Sequence, residues 1–77
     1  MTIKEAIQKA KATYEWNYVP YDPFTALVGF VGENGRGDET CIDLYSDNPE
    51  RELEEVWKEL AKEFGAKPDS VTYIESH

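Results

Sequence analysis

The sequence predicts an α+β fold in one small domain spanning residues 1–77. Two helices and a three-stranded antiparallel sheet follow in chain order α-β-β-α-β, with sheet order 2-1-3. Three observations lead there. Two segments carry apolar residues at helical spacing behind recognisable start signals. Three others are short apolar or alternating runs, and an Asn-Gly turn joins the first two. Finally, a chain of 77 residues builds one small core, because at that length only about 60% of the unfolded surface is buried on folding. With 40% apolar and 31% charged residues, the composition is that of a folded domain and argues against disorder.

The first helix is expected at about residues 3–15. Thr2 and Glu5 form a capping-box pair, in which each side chain satisfies a backbone N–H left free by the first turn. Ile3, Ile7, Ala10 and Tyr14 then recur on one helical face, with Lys4 and Lys11 off it. Residues 16–24 are read as extended, because Pro20 and Pro23 exclude a helix or a central strand. Tyr14, Trp16, Tyr18, Tyr21 and Phe24 crowd this stretch with rings. A domain this small needs large side chains inside, so Trp16, Tyr18 and Phe24 are expected to complete the core or cover a sheet face. The competing reading is an exposed contact patch.

Two strands come next. Residues 25–32 are apolar on both alternating faces, the pattern of a central strand covered on both sides. Residues 40–45 alternate more cleanly, with Ile42 and Leu44 inward and Asp43 outward. Between them, residues 33–38 have turn chemistry, with Asn34-Gly35 as the hairpin signal. The second helix has a cap in Asp47-Asn48, a proline at its first position in Pro49, and an acid near its positive end in Glu50. Its apolar stripe is Leu53, Val56, Trp57, Leu60, Ala61 and Phe64. Gly65 stops it and Pro68 prevents its resumption. Residues 71–74 form the last strand. A right-handed crossover returns this strand beside the first, leaving the most apolar strand in the centre.

Charge is the informative part of the composition. Sixteen acids against eight bases give a net −8, which disfavours direct contact with nucleic acid or an anionic membrane. Residues 1–32 are balanced, so the whole excess sits in residues 33–77, with thirteen acids against five bases. No apolar run approaches the roughly 18–20 residues of a membrane span. The first residues lack a signal-peptide core, so cytoplasmic residence is expected.

Chemistry-bearing motifs are sparse. Cys41 is the single cysteine, so no internal disulfide forms, and in mid-strand it reads as a small packing residue. A nucleophilic site would need a positioned base, and the one histidine is the terminal His77. Zinc would need more Cys and His ligands than the chain has. The acids of residues 33–39 lack calcium-loop spacing, and the glycines lack the pattern of a phosphate cradle. Arg36-Gly37-Asp38 reads as turn chemistry. The expectation is therefore a non-enzymatic protein with no cofactor and no metal.

In size, charge and architecture the chain resembles the small acidic proteins that phages encode to disarm host defences, anti-CRISPR proteins in particular. The resemblance spans all 77 residues, rests on a net −8, an α/β outline and missing catalytic motifs, and carries over no site residue. It implies steric or phosphate-mimicking inhibition of a CRISPR effector. The double-stranded-RNA-binding domain has a similar outline, but its order is α-β-β-β-α and it needs bases where this chain has acids.

The leading functional expectation is a binding protein that presses acids against a basic partner surface, on a CRISPR effector or another nucleic-acid-binding complex. Carboxylates can occupy positions that phosphates otherwise hold, because Arg and Lys bind both. The residues expected to carry this are Glu33, Asp38 and Glu39 at the turn, Asp43 on the second strand, and Glu52, Glu55, Glu59 and Glu63 in one stripe of the second helix. The alternative is a small assembly subunit that dimerises or docks through Trp16, Tyr18, Tyr21, Tyr45 and Tyr73.

Overall fold

The side chain of Thr2 starts the first helix in the way its capping-box pattern requires. Its hydroxyl accepts from the Glu5 N–H at 3.2 Å, and its own N–H donates to Glu5 Oε1 at 3.0 Å. These bonds hold the Glu5 carboxyl below its ordinary pKa. The computed structural model describes residues 1–20 and 22–76, and its elements run α1 (Ile3–Ala12), β1 (Phe24–Gly32), β2 (Gly37–Leu44), α2 (Pro49–Glu63) and β3 (Ala66–Ser76). Tyr21 and His77, each weighed above for a role, lie outside the described residues.

α1 ends three residues before its expected limit. Thr13 caps it, donating its hydroxyl to the Lys9 carbonyl at 3.0 Å, and Tyr14 turns the chain with φ at 60°. The Glu15 N–H then closes back onto the Ala10 carbonyl at 2.8 Å, which satisfies a carbonyl in the last turn. Tyr14 is consequently 86% exposed and does not extend the buried face of Ile3, Ile7 and Ala10. After it, Trp16 and Tyr18 meet Phe24 edge-on, with ring centroids 5.0 and 5.4 Å away, and both pack half-buried against the core.

The sheet has the expected order, β2-β1-β3, with both pairs antiparallel. The hairpin closes through Gly32 and Arg36, and the Gly35 N–H donates to the Gly32 carbonyl at 2.9 Å. β2 begins earlier than expected because its pairing with β1 continues without a break to Val31↔Gly37. β3 is far longer than the expected 71–74 and even contains Pro68. Its register with β1 shifts on both sides of Phe30, so residues 67–70 bulge out between the pairs Gly32↔Ala66 and Phe30↔Val71. Pro68 sits in that bulge, where no ladder bond needs its missing N–H.

One face of the sheet takes both helices. Phe24, Ala26, Val28 and Phe30 of β1 form one buried cluster with Ile42 and Leu44 of β2, Val71 and Ile74 of β3, Ile3, Ala6, Ile7 and Ala10 of α1, and Leu53, Trp57 and Ala61 of α2. Trp57 is 1% exposed, and its indole N–H donates to the Pro68 carbonyl at 3.0 Å. Phe30 lies against Trp57 and stacks on Phe64, each with centroids 5.3 Å apart. Phe64 covers that edge of the core while remaining 43% exposed, so it rims the expected stripe and is not buried in it. Gly65, at φ 64°, takes the left-handed conformation that ends α2.

The expectation that β1 is covered on both sides is overturned. Its other face shows Leu27 half-buried and Val31 exposed, and among the described residues no helix lies there. The two helices pack on each other and on β3, which keeps them on a single side of a sheet only three strands wide. Among the described residues, no helix is long and apolar enough to cross a membrane.

Candidate partner-binding surface

The open sheet face is built by strand alternation. The register places Thr25, Leu27, Gly29 and Val31 of β1 beside Glu39, Cys41 and Asp43 of β2 and Tyr73 and Glu75 of β3. Three carboxylates stand on these paired positions, with no Lys or Arg among them. The Thr25 hydroxyl donates to Asp43 Oδ1 at 2.8 Å and fixes that side chain. Tyr73 reaches across the central strand. Its ring fills the space that a side chain at Gly29 would need, and its hydroxyl donates to Glu39 Oε2 on the far strand. That bond, with burial and the nearby charges of Glu39 and Glu75, pushes the Tyr73 phenol up to about 12. Cys41 is exposed on this face, so it is not the packing residue its mid-strand position predicted.

The expected sites at the hairpin separate. Asp38 is exposed on the helix side of β2, and its Oδ1 accepts from the Glu39 N–H at 2.8 Å. Glu33 is exposed in the loop, which its N–H ties to the Gly65 carbonyl at 2.8 Å.

The stripe on α2 also divides. Glu52 does not present a free carboxylate. It accepts from the backbone N–H of Tyr45 at 2.9 Å and of Ser46 at 2.8 Å, closing the β2–α2 connection. Burial works to raise its pKa, but the bonds from Ser46 and Tyr45 prevail and hold the carboxyl below its ordinary value. Glu55 pairs with Arg51 at 3.4 Å and Glu59 with Lys62 at 3.9 Å, both in solvent. Such exposed pairs contribute about 0.2–1 kcal/mol at most and leave the carboxylates free to exchange partners. Glu63 is exposed. Glu52 reaches the end of β2 and Glu50 pairs with Lys11 of α1 at 2.8 Å, whereas Glu55, two residues from both of the buried Leu53 and Trp57, turns away from the sheet into solvent.

The described members of the aromatic alternative divide between the end of the core and the open face. Trp16 and Tyr18 are engaged with Phe24 at the end of the core, and Tyr73 lies over Gly29 on the open face. Tyr45 is 86% exposed at the end of β2, where it borders an open cleft with Tyr18, Pro23 and Asp47. Among the described residues, no group of three or more His, Cys, Asp or Glu side chains is placed to hold a metal ion.

Glu75 and the Tyr73–Glu39 bond escaped the sequence reading. The signal was present, since continuing the alternation outward from the buried Ile74 puts both Tyr73 and Glu75 on the opposite face. No known protein family, no curated protein and no solved structure matches this chain.

Proposed function

We propose that this domain is a non-catalytic binding protein whose acidic surface docks on a basic partner, of the kind that handles nucleic acid. The observation that supports it is the group of acids on the open face, Glu39 and Asp43 of β2 and Glu75 of β3, together with the solvent-exposed Glu55, Glu59 and Glu63 of α2. A surface of this charge attracts Arg- and Lys-lined grooves and repels phosphates, which makes it a competitor for a phosphate site. Given the resemblance to anti-CRISPR proteins, the specific form of the proposal is inhibition of a CRISPR effector by occupying such a groove. The domain would then act by steric or phosphate-mimicking contact and not by turnover.

The test uses a neutralised variant carrying Glu39→Gln, Asp43→Asn, Glu55→Gln, Glu59→Gln and Glu63→Gln. Glu52 is left in place because it holds backbone N–H groups. The wild-type chain should retain a basic protein from a lysate of its source cell, release it on raising salt, and lose it altogether in the variant, while the variant still melts cooperatively. Retention of the same partner at unchanged affinity by the folded variant would remove the acids from the mechanism. Retention of an identical chain alone would favour an assembly role.

A further inference from the structure

We infer that the outer edge of β2 is a docking site for an extended basic segment of the partner, which adds to the sheet as a fourth strand. The inference rests on the acidic-surface reading above and specifies its mode of contact.

The two edges of the sheet are treated differently. The outer edge of β3 is crossed at both ends by main chain from outside the sheet, whereas only side chains reach the outer edge of β2. The Val71 N–H donates to the Met1 carbonyl at 3.0 Å, and the Ser76 N–H to the Glu15 carbonyl at 2.9 Å. Among the described residues, no strand pairs with the outer edge of β2. In an antiparallel ladder alternate residues turn both backbone groups toward the partner strand or away from it. The Gly32 N–H bonds the Arg36 carbonyl, so Asp38, Thr40 and Ile42 follow as the residues facing β1. Glu39, Cys41, Asp43 and Tyr45 therefore face out. Two bonds agree: the outward Glu39 and Tyr45 N–H groups are taken by the side chains of Asp38 and Glu52. Those two carboxylates close the ends of the edge and leave the backbone groups of Cys41 and Asp43 open between them.

Exposed edges are ordinarily blunted by charged side chains, a proline or a bulge. β2 has no proline and no bulge, its register with β1 is continuous over its whole length, and its charges, Asp38, Glu39 and Asp43, are all acidic, so they repel an acidic strand and admit a basic one. The charge selects the occupant. A strand laid on this edge would find Glu39 and Asp43 on its open-face side, which matches Lys or Arg at alternate positions. A second copy is disfavoured. Antiparallel pairing of two β2 edges about Cys41 sets Glu39 of one chain opposite Asp43 of the other, twice, and like charges directly opposite are destabilising.

The test uses two synthetic probes, a short peptide alternating Lys or Arg with Val and Thr, and the same peptide N-methylated at every second residue. N-methylation keeps the charge and removes the edge hydrogen bonds. Amide hydrogen exchange and affinity are read on the full chain at low salt. The Cys41 and Asp43 amides should become protected by the plain peptide only, and the methylated peptide should bind about tenfold more weakly or worse. Cys41→Pro, at an edge position where proline is tolerated, should melt cooperatively and abolish the difference between the probes. If that variant fails to fold, the comparison on the wild-type chain decides alone. Equal, salt-sensitive binding of both probes without protection overturns the edge mode and leaves the acidic-surface reading standing. Binding of neither probe at low salt overturns both. Protection of the same amides on raising the protein concentration, with formation of a dimer, overturns the choice of occupant.

Discussion

Tyr73 on β3 lies across Gly29 on β1 and donates its hydroxyl to Glu39 on β2, so one side chain spans the whole sheet. The glycine is what permits this, since any side chain at position 29 would occupy the place of the ring. The ring in turn covers backbone that a glycine in mid-strand leaves bare.

This arrangement predicts an unusual phenol. Tyr73 should titrate near 12, as a late phase in an ultraviolet absorbance titration. Its folded pKa is raised above the unfolded value of about 10, so its stabilisation is complete below pH 10 and lost as pH rises through the folded value. Glu39→Gln should bring the phenol down toward the ordinary value, and Gly29→Ala should do the same by displacing the ring while the chain stays folded. An unchanged late phase in both variants would refute the contact.

Glu52 behaves oppositely. Its folded pKa is lowered, so its contribution is present above the unfolded value near 4.5 and is lost as pH falls through the folded one. Glu52→Ala should lower stability by about 1 kcal/mol at neutral pH, because two backbone N–H groups lose a charged acceptor in a partly solvated turn. The difference from wild type should shrink in urea melts as the pH is taken progressively below 4.5. A constant difference across pH would mean that its packing and not its charge matters.

Trp57→Ala should cost about 3–5 kcal/mol, the range for a large-to-small change in a core. That is most of the stability of a small domain, so the variant should be largely unfolded in a thermal melt. Trp57→Phe keeps much of the volume but strands the Pro68 carbonyl, and should cost about 1–3 kcal/mol. A near-wild-type melt for Trp57→Ala would mean that α2 docks through another face.

Tyr14 makes the reverse prediction. It holds a left-handed backbone, which costs a residue with a side chain about 1–2 kcal/mol, and its own side chain is exposed. Tyr14→Gly should therefore raise stability by about 0.5–1 kcal/mol after the added chain entropy of glycine is deducted. A loss of stability in urea unfolding would show that the ring makes contacts that matter.

Local chemistry made the element order legible. The Thr2–Glu5 box, Asn48-Pro49, Asn34-Gly35 and the Leu53–Trp57–Ala61 stripe each act within a few residues, and the structure follows them. With both helices short of partners elsewhere, the sheet order 2-1-3 followed from a hairpin and one crossover. What sequence alone left undecided concerns relations between distant segments. The apolar pattern of β1 is the same whether one or two faces are covered, and only the docking of α1 on α2 and β3 left Leu27, Cys41 and Tyr73 on an open face. The acidic stripe of α2 read as uniform because helical spacing fixes angle and not neighbours. Tertiary structure gave Glu52 the N–H groups of Tyr45 and Ser46 while leaving Glu63 in solvent. The charge of this protein was thus written in its composition, but which carboxylates remain free to meet a partner depended on which backbone groups the fold brought within reach of them.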